Sequence, residues 1–342
     1  MSDGDPEDKR TTRLEDLASR AGVSISTVSR ALNDSPAVNM RTKQAIWKLA
    51  RELDYPFRRY MPAGPIGADG TIAVVVPRPQ GRDARVADPF LAELMAGVGD
   101  AARDRGCDLL VSHTSPVTYD DLAYALTTSR ADGVVFIGQS ALHGAFNSLA
   151  SSEERFVVWG AEMPEQSYCS VGSDNPAGGR RAALHLARLG RKRIVFLGDT
   201  EAPEAMQRYR GYADALNEFG LGVDPDLVVP AHFEVESSEA AVDALIRRGV
   251  DFDAIVAASD LIALGAVSAL IRVGKSVPDD ISVVGYDNIP FSRYSRPALT
   301  TIDQDTAKAG RLLVSKLLDA GGAPSRSERV PTELIIRESC GG

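Results

Sequence analysis

The chain has little of what enzymes and exported proteins are built around. Its 342 residues hold three cysteines, Cys107, Cys169 and Cys340. An odd number at wide spacing suits neither a disulfide framework nor a zinc site, and is the usage of a reducing compartment. Of the four histidines, His113, His143, His185 and His232, none stands in a metal-ligand spacing such as HExxH, and there is no Walker A loop. No apolar run reaches the roughly 18 residues of a membrane helix. The opening MSDGDPEDKR is polar and acidic, without the apolar stretch of a signal peptide. Two fragments imitate catalytic motifs. VVFIGQSAL (134–142) resembles a strand–GxS–helix elbow, but Leu142 stands where the elbow needs glycine, so a hydrolase using GQSAL is only an alternative. GVGDAA (97–102) matches part of a dinucleotide fingerprint with no strand before it, and helix packing explains it better. The expectation is a cytoplasmic protein with no catalytic residue, no metal and no cofactor.

An excess of positive charge is also missing, since the net charge is −9. Its distribution matters more. From Lys9 to Met61 there are eleven Lys/Arg against five Asp/Glu, a local net charge of +6 on an acidic chain. Such a patch is what phosphate contact requires.

Within that patch, residues 14–33 read LEDLASRAGVSISTVSRALN. Leu14, Leu17, Ala18 and Ala21 keep helical spacing. Gly22 and Val23 break it as an inter-helix turn would, and Ser24 offers a hydroxyl cap to a second helix. There Ile25, Val28 and Leu32 are expected to share one face, with Ser26, Thr27, Ser29 and Arg30 projecting from it. A helix with a small, polar, singly basic outer side suits the major groove. An ordinary helical hairpin is the plain alternative. A third helix is expected over 39–54, capped by Asn39, with Ile46, Leu49, Ala50 and Leu53 inward and Trp47 packed. PFRRYMPAGPIGADG (56–70), with three Pro and three Gly, is a linker by composition.

From Thr71 onward short apolar runs alternate with amphipathic helices. Strands are expected at Ile72–Val76, Leu109–Ser112, Val134–Ile137, Phe156–Trp159, Arg193–Leu197, Ala254–Ala257 and Ile281–Val284. The fold class is therefore α/β, with parallel sheets covered on both faces. The length exceeds what one core serves, so two doubly wound subdomains are expected, with ligand at the strand C-terminal ends in the cleft between them.

The AGVS turn followed by TVSRALN resembles the DNA-reading headpiece of the lactose-repressor (LacI) family. DNPAGGRRAALHLARLGRKRIVFLGD (174–199), IVAASDLIALGAVSAL (255–270) and VPDDISVVGYDNIPFSRYSRPALTTIDQD (277–305) extend the resemblance over nearly the whole chain. It implies a helix-turn-helix headpiece over 1–57, a hinge linker over 58–70 and a type I periplasmic-binding-protein-like core over 71–342. The N-subdomain would cover about 71–173 and 304–331, and the C-subdomain about 174–303 and 332–342. It further implies a homodimeric repressor of carbohydrate-utilisation genes that reads a pseudo-palindromic double-stranded operator, senses a small molecule and does not enter the membrane. Two departures stand out. No leucine falls where the family's hinge helix wedges the minor groove, Pro62 and Pro65 oppose helix formation, and Met61 or Ile66 is left as a substitute. VPRPQGRDARVADPF (76–90) is a longer connection than usual, read as a surface loop.

Candidate base-reading residues are Ile25, Ser26 and Arg30. A guanidinium pairs with guanine O6 and N7; a surface ion pair is the alternative use of Arg30. Ser24, Thr27, Ser29, Asn33, Arg58 and Arg59 suit phosphate oxygens. For the effector, the family's ligand-clamping arginine lies three residues before a glycine. In AMQRYRGY (205–212) that is Arg208, with Arg210 facing solvent. Its rigid fork suits adjacent hydroxyls. Asp287 can accept hydroxyl hydrogens, with Asn288 second to it. Ser259 and Asp260 end a strand at the cleft, with capping of a helix from Leu261 as the alternative use of Asp260, and Asp174 reaches the cleft or caps its helix. Trp159 stacks on a ligand or packs in the core, and Phe90 and Gln139 follow from their strand–helix loops. A sugar effector is preferred, a glucoside among sugars; a nucleobase and a phosphoprotein corepressor are the alternatives.

Overall fold

A computed structural model describes residues 12–32, 35, 37–53, 55, 69–77, 88–112, 114–128, 131–151, 155–319 and 326–341. Asn33, Arg58, Arg59, Met61, Ile66 and most of the 76–90 connection lie outside the described residues.

Three short helices form the headpiece: α1 (Leu14–Ala21), α2 (Ile25–Leu32) and α3 (Met40–Glu52). Each boundary has a local cause. The Asp16 carboxylate accepts the Arg13 N–H at 2.8 Å, and Gly22 ends α1 at φ +65. The Ser24 hydroxyl accepts the Thr27 N–H at 3.1 Å, and Asn39 accepts the Thr42 N–H at 2.9 Å. These caps hold helices too short to persist alone. Leu17, Ala18, Val28, Ala31, Val38, Ile46 and Ala50 form their common core. One expectation needs correcting. Ile25 does not join that face, because as the first residue of α2 it has no neighbour over it and is 47% exposed.

The remainder runs β1 (Thr71–Val75), α4 (Pro89–Asp104), β2 (Asp108–Val111), α5 (Tyr119–Thr128), β3 (Gly133–Ile137), α6 (His143–Ala150), β4 (Phe156–Trp159) and β5 (Ser170–Ser173). It continues through α7 (Asn175–Arg188), β6 (Ile194–Leu197), α8 (Pro203–Glu218), β7 (Val228–Val229), α9 (Val235–Arg247), β8 (Ala254–Ala257), α10 (Asp260–Arg272) and β9 (Ser282–Asp287). It closes with α11 (Pro290–Tyr294), β10 (Thr300–Asp303), α12 (Thr306–Leu318), β11 (Glu328–Val330) and β12 (Glu333–Ile335). Two six-stranded sheets result, ordered β11-β5-β4-β3-β1-β2 and β12-β10-β9-β8-β6-β7. The central strands are fully buried apolar runs such as GVVFI and AIVA, as strands covered on both faces must be. The second sheet is not wholly parallel, since β12 pairs antiparallel with β10. β12 enters the second sheet directly from β11 of the first, and lies on the edge beside β10.

The chain passes between the sheets after β5, after β10 and after β11. The second passage sends α12 back onto the first sheet, where Leu313, Val314 and Leu317 pack with Leu94 and Val98 of α4. Gly97 permits this approach, because a Cβ there would stand 2.5 Å from the Thr306 carbonyl oxygen. The GVGDAA fragment thus lies inside α4 as a helix-packing contact.

Candidate functional site

In α2, Ile25, Ser26 and Arg30 are all exposed. The Ser24 hydroxyl lies 2.8 Å from the hydroxyls of both Ser26 and Thr27, so three candidate polar groups form one cluster at the start of the helix. The donors of that cluster sit at a helix N-terminus, which favours an anionic oxygen. Trp47 is buried, and its indole N–H donates to the Ala31 carbonyl at 3.1 Å. It is packed, as expected, and not presented as a contact residue.

The second candidate site lies where the C-terminal ends of both sheets face each other. From the second sheet comes Arg208 of α8, buried while Arg210 is exposed. Its Nε donates to Asn175 Oδ1 at 2.8 Å, and its Nη1 donates to the Ala258 carbonyl. Nη1 also stands 3.7 Å from Asp287 Oδ1, and the guanidinium lies 3.7 Å from the centre of the Tyr286 ring. Among the described residues no acceptor is bonded to Nη2. Asp287 closes β9 with φ +117 and Asn288 follows at φ +53. Two successive left-handed residues that are not glycine are strained, and such strain concentrates at functional sites. The surroundings hold it: Gln304 Nε2 donates to Asp287 Oδ1 at 2.5 Å, and the Asn288 amide bridges Asp303 and Arg337.

Burial pushes the Asp287 carboxyl well above the usual carboxylate range. Arg208 opposes that rise, while the charges of Asp260 and Asp88 add to it. Asp260 is fully buried and pushed up to about 7, again by burial, against bonds from Thr301 and Ile289. Asp88 is raised by burial as well, although the Phe90 and Leu91 amides hold it down. Asp88 belongs to the first sheet's side and Asp287 to the second's, so the Asp287 carboxyl feels acidic neighbours from both walls while Arg208 is its paired cation.

On the first wall Phe90 and Trp159 meet, with ring centres 6.0 Å apart and planes at 42°. Four other candidates are engaged within the protein. Ser259 caps α10 through Ile262 N–H at 3.2 Å. Asp260 accepts from Thr301 Oγ1 at 2.5 Å and from Ile289 N–H at 2.9 Å. Asp174 caps α7 through Ala177 N–H at 3.2 Å. Gln139, fully buried, donates from Nε2 to the Ala161 carbonyl and the Tyr168 hydroxyl, both at 2.6 Å. Arg208 and Asp287 are thus paired on one side, while Trp159 is buried in the apolar core of the first subdomain with Phe90 packed against it; the other four are bonded within the protein. Sequence reasoning missed Asp88, Asn175, Tyr286 and Gln304. Asp88 had a readable signal, a capping carboxylate before Pro89 at the head of α4. The other three had none, being brought to Arg208 and Asp287 by packing alone.

Residues 13–56 match the model for bacterial regulatory proteins of the lacI family, and residues 183–340 match a periplasmic-binding-protein-like domain. The chain is 32% identical over 341 residues to the HTH-type transcriptional regulator CelR of Thermobifida fusca, covering 97% of this chain and 99% of that protein. It is 31% identical over 335 residues to the HTH-type transcriptional repressor CytR of Escherichia coli (strain K12), covering 95% of each. Among solved structures, a transcriptional regulator CelR–cellobiose complex superposes with a TM-score of 0.69 at 30% identity, covering 96% of this chain and 99% of that one.

Proposed function

This chain belongs to the LacI family of DNA-binding transcriptional regulators, and from that premise we propose that it is a homodimeric repressor of carbohydrate-utilisation genes, released by an uncharged sugar. It is a ligand-responsive regulator and not an enzyme. The observation that carries the sugar reading is the Arg208–Asp287 pair, with the unused Nη2 edge of Arg208 beside a carboxylate. A donor fork next to an acceptor matches two adjacent hydroxyls, each of which both donates and accepts. The aromatic pair of Phe90 and Trp159 suits the apolar face of a pyranose. The cellobiose held by the similar CelR structure supports the same class.

The alternatives fit less well. Arg208 is already engaged by Asp287, Asn175 and Ala258, which leaves little of its charge for a phosphate group and argues against a phosphorylated effector. A sandwiched nucleobase needs two parallel faces with a gap between them, and Phe90 and Trp159 touch each other at an angle. For the dimer, Leu110 and Val111 on β2 and Phe291 and Tyr294 on α11 are exposed apolar side chains on both subdomains, of the kind a partner covers. In this reading, cleft closure changes the angle between subdomains. Two headpieces set for half-sites about one helical turn apart then lose register. The ligand acts only through its preference for one state.

Thermal melts of the full chain with cellobiose, other neutral saccharides, sugar phosphates and purines test the reading. A neutral sugar at a hundred times its dissociation constant stabilises by about 2.7 kcal/mol. Arg208→Lys keeps the charge but loses the fork, and should abolish the shift. A response confined to purines or sugar phosphates overturns the sugar assignment.

A further inference from the structure

Trp47 is one of two tryptophans in the chain, and neither DNA contact nor ligand binding accounts for it. It stands on α3 next to Ile46, which packs inward in the headpiece core. Trp47 is not part of that core cluster, yet it is only 4% exposed. Lys43, one turn earlier on the same face, is buried too. What covers that face is the core of the same chain, for α3 meets α5 of the first subdomain there. The rings of Trp47 and Tyr124 are 6.1 Å apart at 84°, an edge-to-face pair, the arrangement their quadrupoles favour. At its other end the indole is tied to the DNA-reading helix, through the 3.1 Å bond to the Ala31 carbonyl in the last turn of α2. One side chain therefore joins the reading helix, its supporting helix and the effector-binding core.

We propose that Trp47 docks the headpiece on its own core through Tyr124, so that the reading helix moves with the first subdomain through this contact and not through the linker alone. The docked arrangement does not cover the reading face, because Ile25, Ser26 and Arg30 remain exposed in it. The contact is therefore an orienting one and not a block. Motion of α5 reaches α2 along Tyr124, Trp47 and Ala31. The Pro- and Gly-rich sequence of the linker, which opposes helix formation, makes a second path valuable. The docking does not depend on which ligand fills the cleft.

The test uses the full chain in a Trp159→Phe background, leaving Trp47 as its sole tryptophan. Acrylamide quenching and anisotropy decay are recorded without DNA or ligand. The docked arrangement gives weak quenching and an anisotropy that decays with the tumbling of the whole chain. Tyr124→Ala removes the ring contact, and should raise quenching several-fold and add a nanosecond segmental component. Tyr124→Phe keeps the ring and should match the parent. Unchanged helical content in the far ultraviolet separates undocking from unfolding. The proposal is overturned if Trp47 already shows fast segmental motion in the parent. It is equally overturned if Tyr124→Ala leaves quenching and anisotropy unchanged, or if Tyr124→Phe is as disruptive as Tyr124→Ala.

Discussion

The headpiece offers DNA a set of side chains that are neighbours in sequence, from Ser24 to Arg30, on a single helix whose caps are local. The cleft gathers Asp88, Trp159, Arg208 and Asp287 from four distant segments, and each is placed by a different strand or helix. The headpiece is correspondingly simple in its electrostatics, with Arg13, Arg20, Arg30, Arg41 and Lys48 exposed to water. The cleft buries the Arg208–Asp287 pair with Asp260 and Asp88 acting on the same carboxyl, in surroundings where charge is expensive unless paired. The difference suggests that the headpiece tolerates changes in its polar side chains at little cost to folding. In the cleft, function and stability are held by the same groups.

Arg208→Ala is the strongest way to break that contrast. It removes the partner of Asp287, the bonds to Asn175 and Ala258 and the stacking on Tyr286. Loss of one member of a buried pair costs about 3–5 kcal/mol, so the melt of the core should fall along with the response to sugar. A variant as stable as the parent would mean that the cleft, like the headpiece, separates function from folding.

Asp260→Asn sharpens the same point through pH. Burial pushes the Asp260 carboxyl up to about 7, against about 4 for a free aspartate. A raised acid contributes stability that is fully present below about pH 4 and lost as pH climbs toward 7. Asp287, raised by the same cause, adds in the same direction. Denaturant melts of the parent should thus weaken over that window by on the order of 4 kcal/mol. Asp260→Asn should flatten the slope, and an unchanged slope would assign it to other carboxylates.

Legibility in the sequence follows the same division. The caps at Ser24 and Asn39 and the turn at Gly22 were readable, because each acts within a few residues. The long helices α4, α7, α8, α9 and α10 and the seven apolar strands were readable from periodicity. Strand β5, SVGS, and β10, TTID, were not, since both are short and carry little apolar pattern. They are strands because their neighbours in the sheet bond to them. Arg208 and Asp287 were found through the resemblance to the LacI family, and nothing in their spacing says that they meet. Ile25 shows the reverse error: a periodic pattern placed it inward at a helix start where no neighbour exists to cover it.

Arg30→Ala tests the headpiece half of the comparison. The side chain is exposed, so the melt should move by less than about 0.5 kcal/mol. Operator affinity should fall by roughly 1–3 kcal/mol with ligand affinity intact. Mobility shifts with and without a stabilising sugar check both. A large loss of stability would make Arg30 structural and withdraw it from the DNA contacts.

The smallest effect is expected at Gly22, and it isolates the backbone. The residue lies at φ +65 between α1 and α2, and a Cβ there would meet no atom within 4 Å. Gly22→Ala therefore creates no clash, and its whole cost is the left-handed conformation, about 1 kcal/mol. Gly97→Ala, at an ordinary backbone angle, would drive its Cβ against the Thr306 carbonyl, and overpacking of that kind costs about 1–3 kcal/mol. Chemical denaturation of the two variants compares them directly. A larger loss at Gly97 means that the core is limited by packing between distant helices and the headpiece by the local shape of its turn. A larger loss at Gly22 means that the headpiece, small as it is, depends on long-range contacts that the turn sets up, with the docking of α3 on α5 first among them.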